Sequence, residues 1–327
     1  MGKNQCPLVI FSYRWSSDLH RLPLNRSAFA FFLIVFWLCI HKVHAGTIFS
    51  AGADVGYLSG FTSYKIGEIE YDPTYGYYSW GSKLEWPIDS VVAGPYLSLN
   101  ANNQFLIDVS LRTNITDETG KIKDSDYFNG YRFIYSESDA RMEMYDFNLK
   151  GRINLSRDQK NTVGLIGGYR YQDFSFEASN LEQASLIHEY NGSESGVVLK
   201  YDVEYSIPYV GLAITSLVGP NTLLELSGQL GFVTVKDVDD HVLRYKKSTG
   251  HGTGESIGLS GSITHDLSLT SCIRLSAEYT MIGAEGKQTQ RWYATTDEAP
   301  EGYTIKDIDL KIESEQTLVS LGIGVRF

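Results

Sequence analysis

Residues 223–241 read Leu-Leu-Glu-Leu-Ser-Gly-Gln-Leu-Gly-Phe-Val-Thr-Val-Lys-Asp-Val-Asp-Asp-His, and their phase decides the fold. Even positions carry Leu224, Leu226, Leu230 and Phe232, while odd positions carry Glu225, Ser227, Gln229, Asp237, Asp239 and His241. A period of two with one apolar and one polar face predicts a strand between an apolar medium and a wet one. The polar row runs without a phase slip into Asp237, Asp239 and His241, so all three are expected on the inner face of whatever this strand builds.

The same alternation recurs along the chain. Phe105, Ile107, Val109 and Leu111 oppose Asp108, Ser110, Arg112 and Asn114. Tyr145, Phe147, Leu149, Ile153 and Leu155 oppose Asp146, Asn148, Lys150, Arg152 and Asn154, and Val319, Leu321, Ile323, Val325 and Phe327 end the chain in the same style. A soluble β-sandwich hides its apolar faces and shows uniform polar ones to water. Here the polar faces mix charges of both signs, as in a lumen lined by ion pairs, and the apolar faces are rich in Tyr and Phe, as in a lipid-facing band. Backbone edges cannot stay unpaired in hydrocarbon, so the strands must close. Four short connections (100–103, 156–160, 218–221, 265–270) and five long polar ones (61–78, 117–138, 179–196, 241–252, 288–307) predict a ten-stranded antiparallel transmembrane β-barrel, all-β, with the long loops outward.

Residues 28–40, AFAFFLIVFWLCI, are too short an apolar run for a comfortable helical span. Preceded by Arg14, Arg21 and Arg26 and followed by Val43-His44-Ala45, they predict a signal peptide over 1–45 and a barrel domain over 46–327. That segment holds five basic residues and one acidic one, so its removal takes the formal net charge from −11 to −15. Such an acidic protein is a poor partner for nucleic acid and a natural one for cationic peptides. Cys6 and Cys39 leave with the signal, and Cys272 alone cannot make a disulfide framework.

Three clusters could carry chemistry. Asp237, Asp239 and His241 share a face, and a carboxylate beside an imidazole orients a general base; a solvated acidic loop with a chance His is the plain alternative. Asp124-Ser125-Asp126 sets two carboxylates on one face, where one tends to keep its proton; a calcium site and a solvated loop are the alternatives. Glu68-Ile69-Glu70-Tyr71 with Ser82-Lys83-Leu84-Glu85-Trp86 reads as an acidic rim. No serine-nucleophile motif, phosphate loop, HExxH or paired CxxC occurs.

At these residues the chain resembles the omptin family of outer-membrane endopeptidases. The resemblance rests on Leu58-Ser59-Gly60, Ser82-x-Leu84-Glu85-Trp86 and Asp124-x-Asp126. It continues through Gly168-Tyr169, Phe174-Ser175-Phe176-Glu177-Ala178, Pro208-Tyr209-Val210-Gly211-Leu212 and Asp237-x-Asp239-x-His241. It departs from the family pattern at Ile134-Tyr135-Ser136-Glu137-Ser138-Asp139-Ala140. The resemblance implies Asp124, Asp126, Asp239 and His241 as catalytic residues. Glu68 (with Glu70 as the alternative) and Asp237 would form a pocket for a basic side chain. It also implies a monomer in the outer membrane of a Gram-negative bacterium, its active site facing the exterior. No metal or cofactor is implied, but lipopolysaccharide is, as an activating lipid. The runner-up is a barrel of the same fold acting as an adhesin or invasin, and a porin is third.

Overall fold

The computed structural model describes residues 47–72, 76–101, 104–158, 160–186 and 191–327, with the side chains of 68–72, 77 and 157 left out. The signal-peptide segment 1–45 lies outside the described residues.

Twelve strand segments form one antiparallel sheet: β1 (Thr47–Asp72), β2 (Gly76–Pro87), β3 (Ser90–Ala101), β4 (Phe105–Asn114), β5 (Glu118–Phe128), β6 (Tyr131–Arg157), β7 (Asn161–Ser185), β8 (Gly192–Gly219), β9 (Thr222–His241), β10 (Lys246–Asp266), β11 (Ser271–Trp292) and β12 (Thr304–Arg326). From β6 to β12 each segment pairs with the next, β1 pairs with both β2 and β3, β2 with β5, β3 with β4, β6 with both β4 and β5, and β12 pairs with β1 to close the sheet. β3 continues β2 after a break at Ile88-Asp89, and β5 continues β4 after one at 115–117, so the described segments make ten barrel strands. β9 is the seventh.

The barrel has two storeys. Outward positions of the lower one are apolar and exposed: Val55, Leu97, Leu226, Leu230, Phe232, Ile257, Leu259, Leu321 and Ile323 among them. On β9 the outward row turns polar after Phe232, at Thr234 and Lys236, which marks the upper limit of the lipid-facing band. Above it the strands keep pairing: β5 with β6 up to Phe128↔Tyr131, and β10 with β11 up to Lys246↔Trp292. Four of the five connections expected to be long loops are therefore mostly strand; the fifth, 288–307, keeps a non-strand stretch over 293–303. Outside the membrane no apolar outer row is needed, so these hairpins lack the alternation that betrays the lower storey.

Layers of inward side chains fill the lumen. At the bottom Lys150 meets Asp108 and Glu225, and Arg152 meets Glu225 at 2.7 Å. Above them Arg112 holds Asp54 and Glu278, and Arg170 grips Asp146 through two nitrogens at 2.8 and 2.6 Å. Next Gln172 and Gln316 exchange amide hydrogen bonds, and Thr62 meets the Tyr205 hydroxyl. Over these lies an aromatic layer in which Trp86 stacks on Tyr201 at 5.6 Å and packs on Phe176 at 5.1 Å. Trp86 and Tyr201 are fully buried, so this layer is the floor of everything above it.

Candidate active site

The strand alternation delivers Asp237, Asp239 and His241 to the inner face of β9, where Asp239 is in register with Tyr201 of the aromatic floor and Asp237 with Val203, and Val233 and Val235 follow below. On the facing wall β5 presents Ile122, Asp124 and Asp126 inward, between Ser82 and Leu84 of β2 and Ile134 and Ser136 of β6. His241, Asp124 and Asp126 line one cavity of about 630 Å³ at the top of the barrel. Its other walls are largely apolar, including Trp80, Phe133, Leu181, Leu243 and Trp292. The two acidic clusters, 113 residues apart in sequence for Asp126 and Asp239, thus converge from opposite sides.

His241 Nε2 lies 2.8 Å from Asp239 Oδ2. A carboxylate can only accept, so Nε2 carries the proton and Nδ1 keeps its lone pair. The Tyr64 hydroxyl donates to the same Asp239 oxygen at 2.5 Å. Burial pushes the Asp239 carboxyl up, but the His241 and Tyr64 contacts outweigh it and hold the pKa below the usual carboxylate value. Burial pulls His241 below 6.5 in spite of Asp239, with Lys246 and Arg244 acting in the same direction. The imidazole is therefore neutral at pH 7 and able to take a proton.

Asp124 behaves oppositely. Burial, then the charges of Asp126 and Asp239, raise it to about 8, so it holds a proton at neutral pH. The Ser82 hydroxyl is its nearest hydrogen-bond donor, at a long 3.4 Å. A neutral imidazole facing a protonated carboxyl across a cleft can hold and polarise a water molecule. Among the described residues no cluster of three or more His, Cys, Asp or Glu side chains has the arrangement of a metal site.

Asp237 differs from its expected place. It is 2% exposed and is not one of the residues lining the cavity; neither carboxylate oxygen has a hydrogen-bond partner among the described residues. It lies under the cleft, one inward position below Asp239, against Gly250, where any Cβ would meet its Oδ1. Burial first, and then Asp239, raise its carboxyl to about 7. The Glu68 backbone pairs with Trp80 in the β1–β2 hairpin; the side chain lies outside the described residues, as do those of Glu70 and Tyr71.

Local pattern alone did not single out three contributors. Tyr64 sits inward on β1 in the 61–78 stretch that reads as a long polar connection, and only barrel closure brings it to Asp239. Arg244 follows β9 in a 3-10 turn, Val242–Arg244, and is tied to Glu298 by two contacts of 2.7 Å. Lys246 opens β10 directly opposite His241. Its inward neighbours along β10 are Ser248, Gly250 and Gly252, and that lone long cation in a row of small residues is the signal that could have found it.

A model described as the omptin family matches residues 46–327. The plasminogen activator of Yersinia pestis is 28% identical over 214 residues, which span 60% of this chain and 64% of that protein, just under two thirds of its length. The crystal structure of the outer membrane protease OmpT from Escherichia coli matches with a TM-score of 0.70 at 17% identity, covering 86% of this chain and 97% of that one. At that identity the likeness is one of fold.

Proposed function

The chain belongs to the omptin family of outer-membrane proteases, and from that premise we propose that it is an endopeptidase cleaving beside Lys or Arg by direct attack of water. Family and fold put the protein in the outer membrane of a Gram-negative bacterium. In this reading the upper storey and its cleft face the cell exterior. The single observation that carries the mechanism is the convergence of Asp124 and Asp126 with His241 on one cavity, with Asp239 behind the imidazole.

In the reaction a water bridges Asp124 and His241 Nδ1. As its oxygen bonds to the scissile carbonyl carbon, one O–H bond breaks and its proton passes to Nδ1. The carbonyl π pair moves onto oxygen, giving a tetrahedral oxyanion. Asp239 stabilises the imidazolium, and Tyr64 fixes Asp239. Asp126, by its charge, helps keep the Asp124 proton in place. Collapse of the intermediate breaks the C–N bond, and the departing nitrogen takes the proton back from His241. No acyl-enzyme forms.

The preference for a basic side chain rests on Asp237. A buried carboxylate with two unpartnered oxygens is costly, and an arriving ammonium or guanidinium supplies the missing partner. Glu68 is proposed as the second acid of that pocket. Substrates are then cationic peptides or proteins, drawn to an acidic molecule of formal charge −11. Lipopolysaccharide is proposed as the activating lipid and the monomer as the working form.

The test is hydrolysis of a fluorogenic dibasic peptide by protein purified from outer membranes and supplied with lipopolysaccharide. His241→Ala and Asp124→Ala should each lower kcat by about 10²–10⁴-fold, the usual worth of a positioned acid or base. Equal background turnover in all three proteins sinks the endopeptidase and leaves the surface adhesin.

A further inference from the structure

The direct attack of water proposed above places a negative charge on the carbonyl oxygen, which Asp124, Asp126 and Asp239 cannot stabilise as carboxylates. We infer that Lys246 is a further catalytic residue, whose ammonium faces the scissile carbonyl from the β10 side of the cleft and holds that developing oxyanion. This rests on the endopeptidase reading and adds to it a cation the carboxylates cannot provide.

Three observations carry it. Lys246 is paired in register with His241 on one side and with Trp292 on the other, and it lines the same cavity as Asp124, Asp126 and His241. The residue is 4% exposed, yet its side chain forms no ion pair or hydrogen bond among the described residues, and the Trp292 ring lies 5.8 Å from Nζ. A cation–π contact makes up only part of the hydration an ammonium gives up on burial. A charge left short in this way, aimed into a cleft, is poised for a partner that arrives with the substrate.

Arg244, the other cation of the cavity, is not equivalent. Both its contacting nitrogens are committed to Glu298, and its side chain is 45% exposed. The charged groups around Lys246 are Arg244 in the turn, Asp239 on β9, Asp126 on β5 and Glu298 in the β11–β12 connection. Burial, then Arg244, lower its pKa to about 8 against the pull of the three acids. The ammonium is thus charged at pH 7 while remaining weakly held, which suits a group that must strengthen its contact as the oxyanion forms.

The experiment compares Lys246→Met and Lys246→Arg with the unsubstituted protein, again purified from outer membranes and supplied with lipopolysaccharide, at pH 7 on one fluorogenic dibasic peptide. Near-ultraviolet circular dichroism reports whether each variant is folded. Methionine keeps the stem and loses the charge, so kcat should fall by about 10²–10³-fold, the worth of one oxyanion donor, with KM within about 3-fold. Arginine should restore kcat to within about 10-fold. A kcat within about 3-fold of the unsubstituted value in Lys246→Met, or a loss confined to KM, overturns the inference while leaving the endopeptidase intact. A loss in both variants alike shows a need for the lysine's shape rather than its charge and overturns it too. Absence of turnover in the unsubstituted protein overturns both readings.

Discussion

At the scale of single residues, the structure separates two neighbouring carboxylates that the sequence presents as alike. Asp239 is held ionised by His241 and Tyr64, whereas Asp237, two residues earlier on the same face, has no partner and is raised to about 7. The Asp237 pKa is raised on folding, so its penalty is absent below the ordinary 3.8, grows as pH rises and is complete above about 7. That difference corresponds to about 4 kcal/mol of lost stability above pH 7. Asp237→Asn cannot ionise. It should raise the urea midpoint of unfolding at pH 8, change it little at pH 4, and lower kcat/KM for a basic substrate by about 10²-fold, since the buried charge partner is gone. Equal midpoint shifts at the two pH values would remove the titration argument. The shared face of Asp237, Asp239 and His241 was legible, because a strand's period of two is written into consecutive residues. Their different electrostatics were not, because they depend on Tyr64, Lys246 and Gly250, which arrive from other strands.

At the scale of elements, the lower storey was legible and the upper one much less so. Leu226, Leu230 and Phe232 announce a lipid face, but above the membrane Thr234 and Lys236 carry no comparable demand, so strand and polar loop read alike. Pairing between strands also imposes requirements no single strand displays. Gly168 on β7 is open space in sequence terms; in the barrel the Tyr209 ring of β8 lies over it, and its hydroxyl donates to Asn148 on β6 at 2.8 Å. A Cβ at Gly168 would meet the Tyr209 ring and the Leu149 carbonyl. Gly168→Ala should therefore destabilise the barrel by about 1–3 kcal/mol through overpacking. In a double-mutant cycle Tyr209→Ala should recover part of that loss, because the aromatic ring is one of the two obstacles. Urea unfolding of the four proteins measures the coupling, and strictly additive effects would mean that the backbone carbonyl alone sets the constraint.

At the scale of the whole molecule, the question is whether the tube conducts. The cleft opens upward, but below it the fully buried Trp86 and Tyr201 close the floor, and beneath them lie the Gln172–Gln316 pair and two tiers of ion pairs. Arg170 is the keystone of the upper tier: it is 6% exposed, bidentate to Asp146, which is 3% exposed, and 3.9 Å from Glu278. Mixed charges on the inner faces fit either a porin or a plug, and the two are distinguished by whether the charges face water or one another. Here they face one another, so purified protein in a planar bilayer should show no steady single-channel conductance. Arg170→Ala sharpens the test. Removing one member of a buried pair strands Asp146 without its bidentate partner, which costs about 3–5 kcal/mol, far more than an ion pair bathed in channel water would. A porin lumen would tolerate the change with less than about 1 kcal/mol of loss and an altered ion selectivity. A large fall in the unfolding midpoint with conductance still absent is the outcome expected of a barrel whose interior serves as a rigid base for the cleft above it.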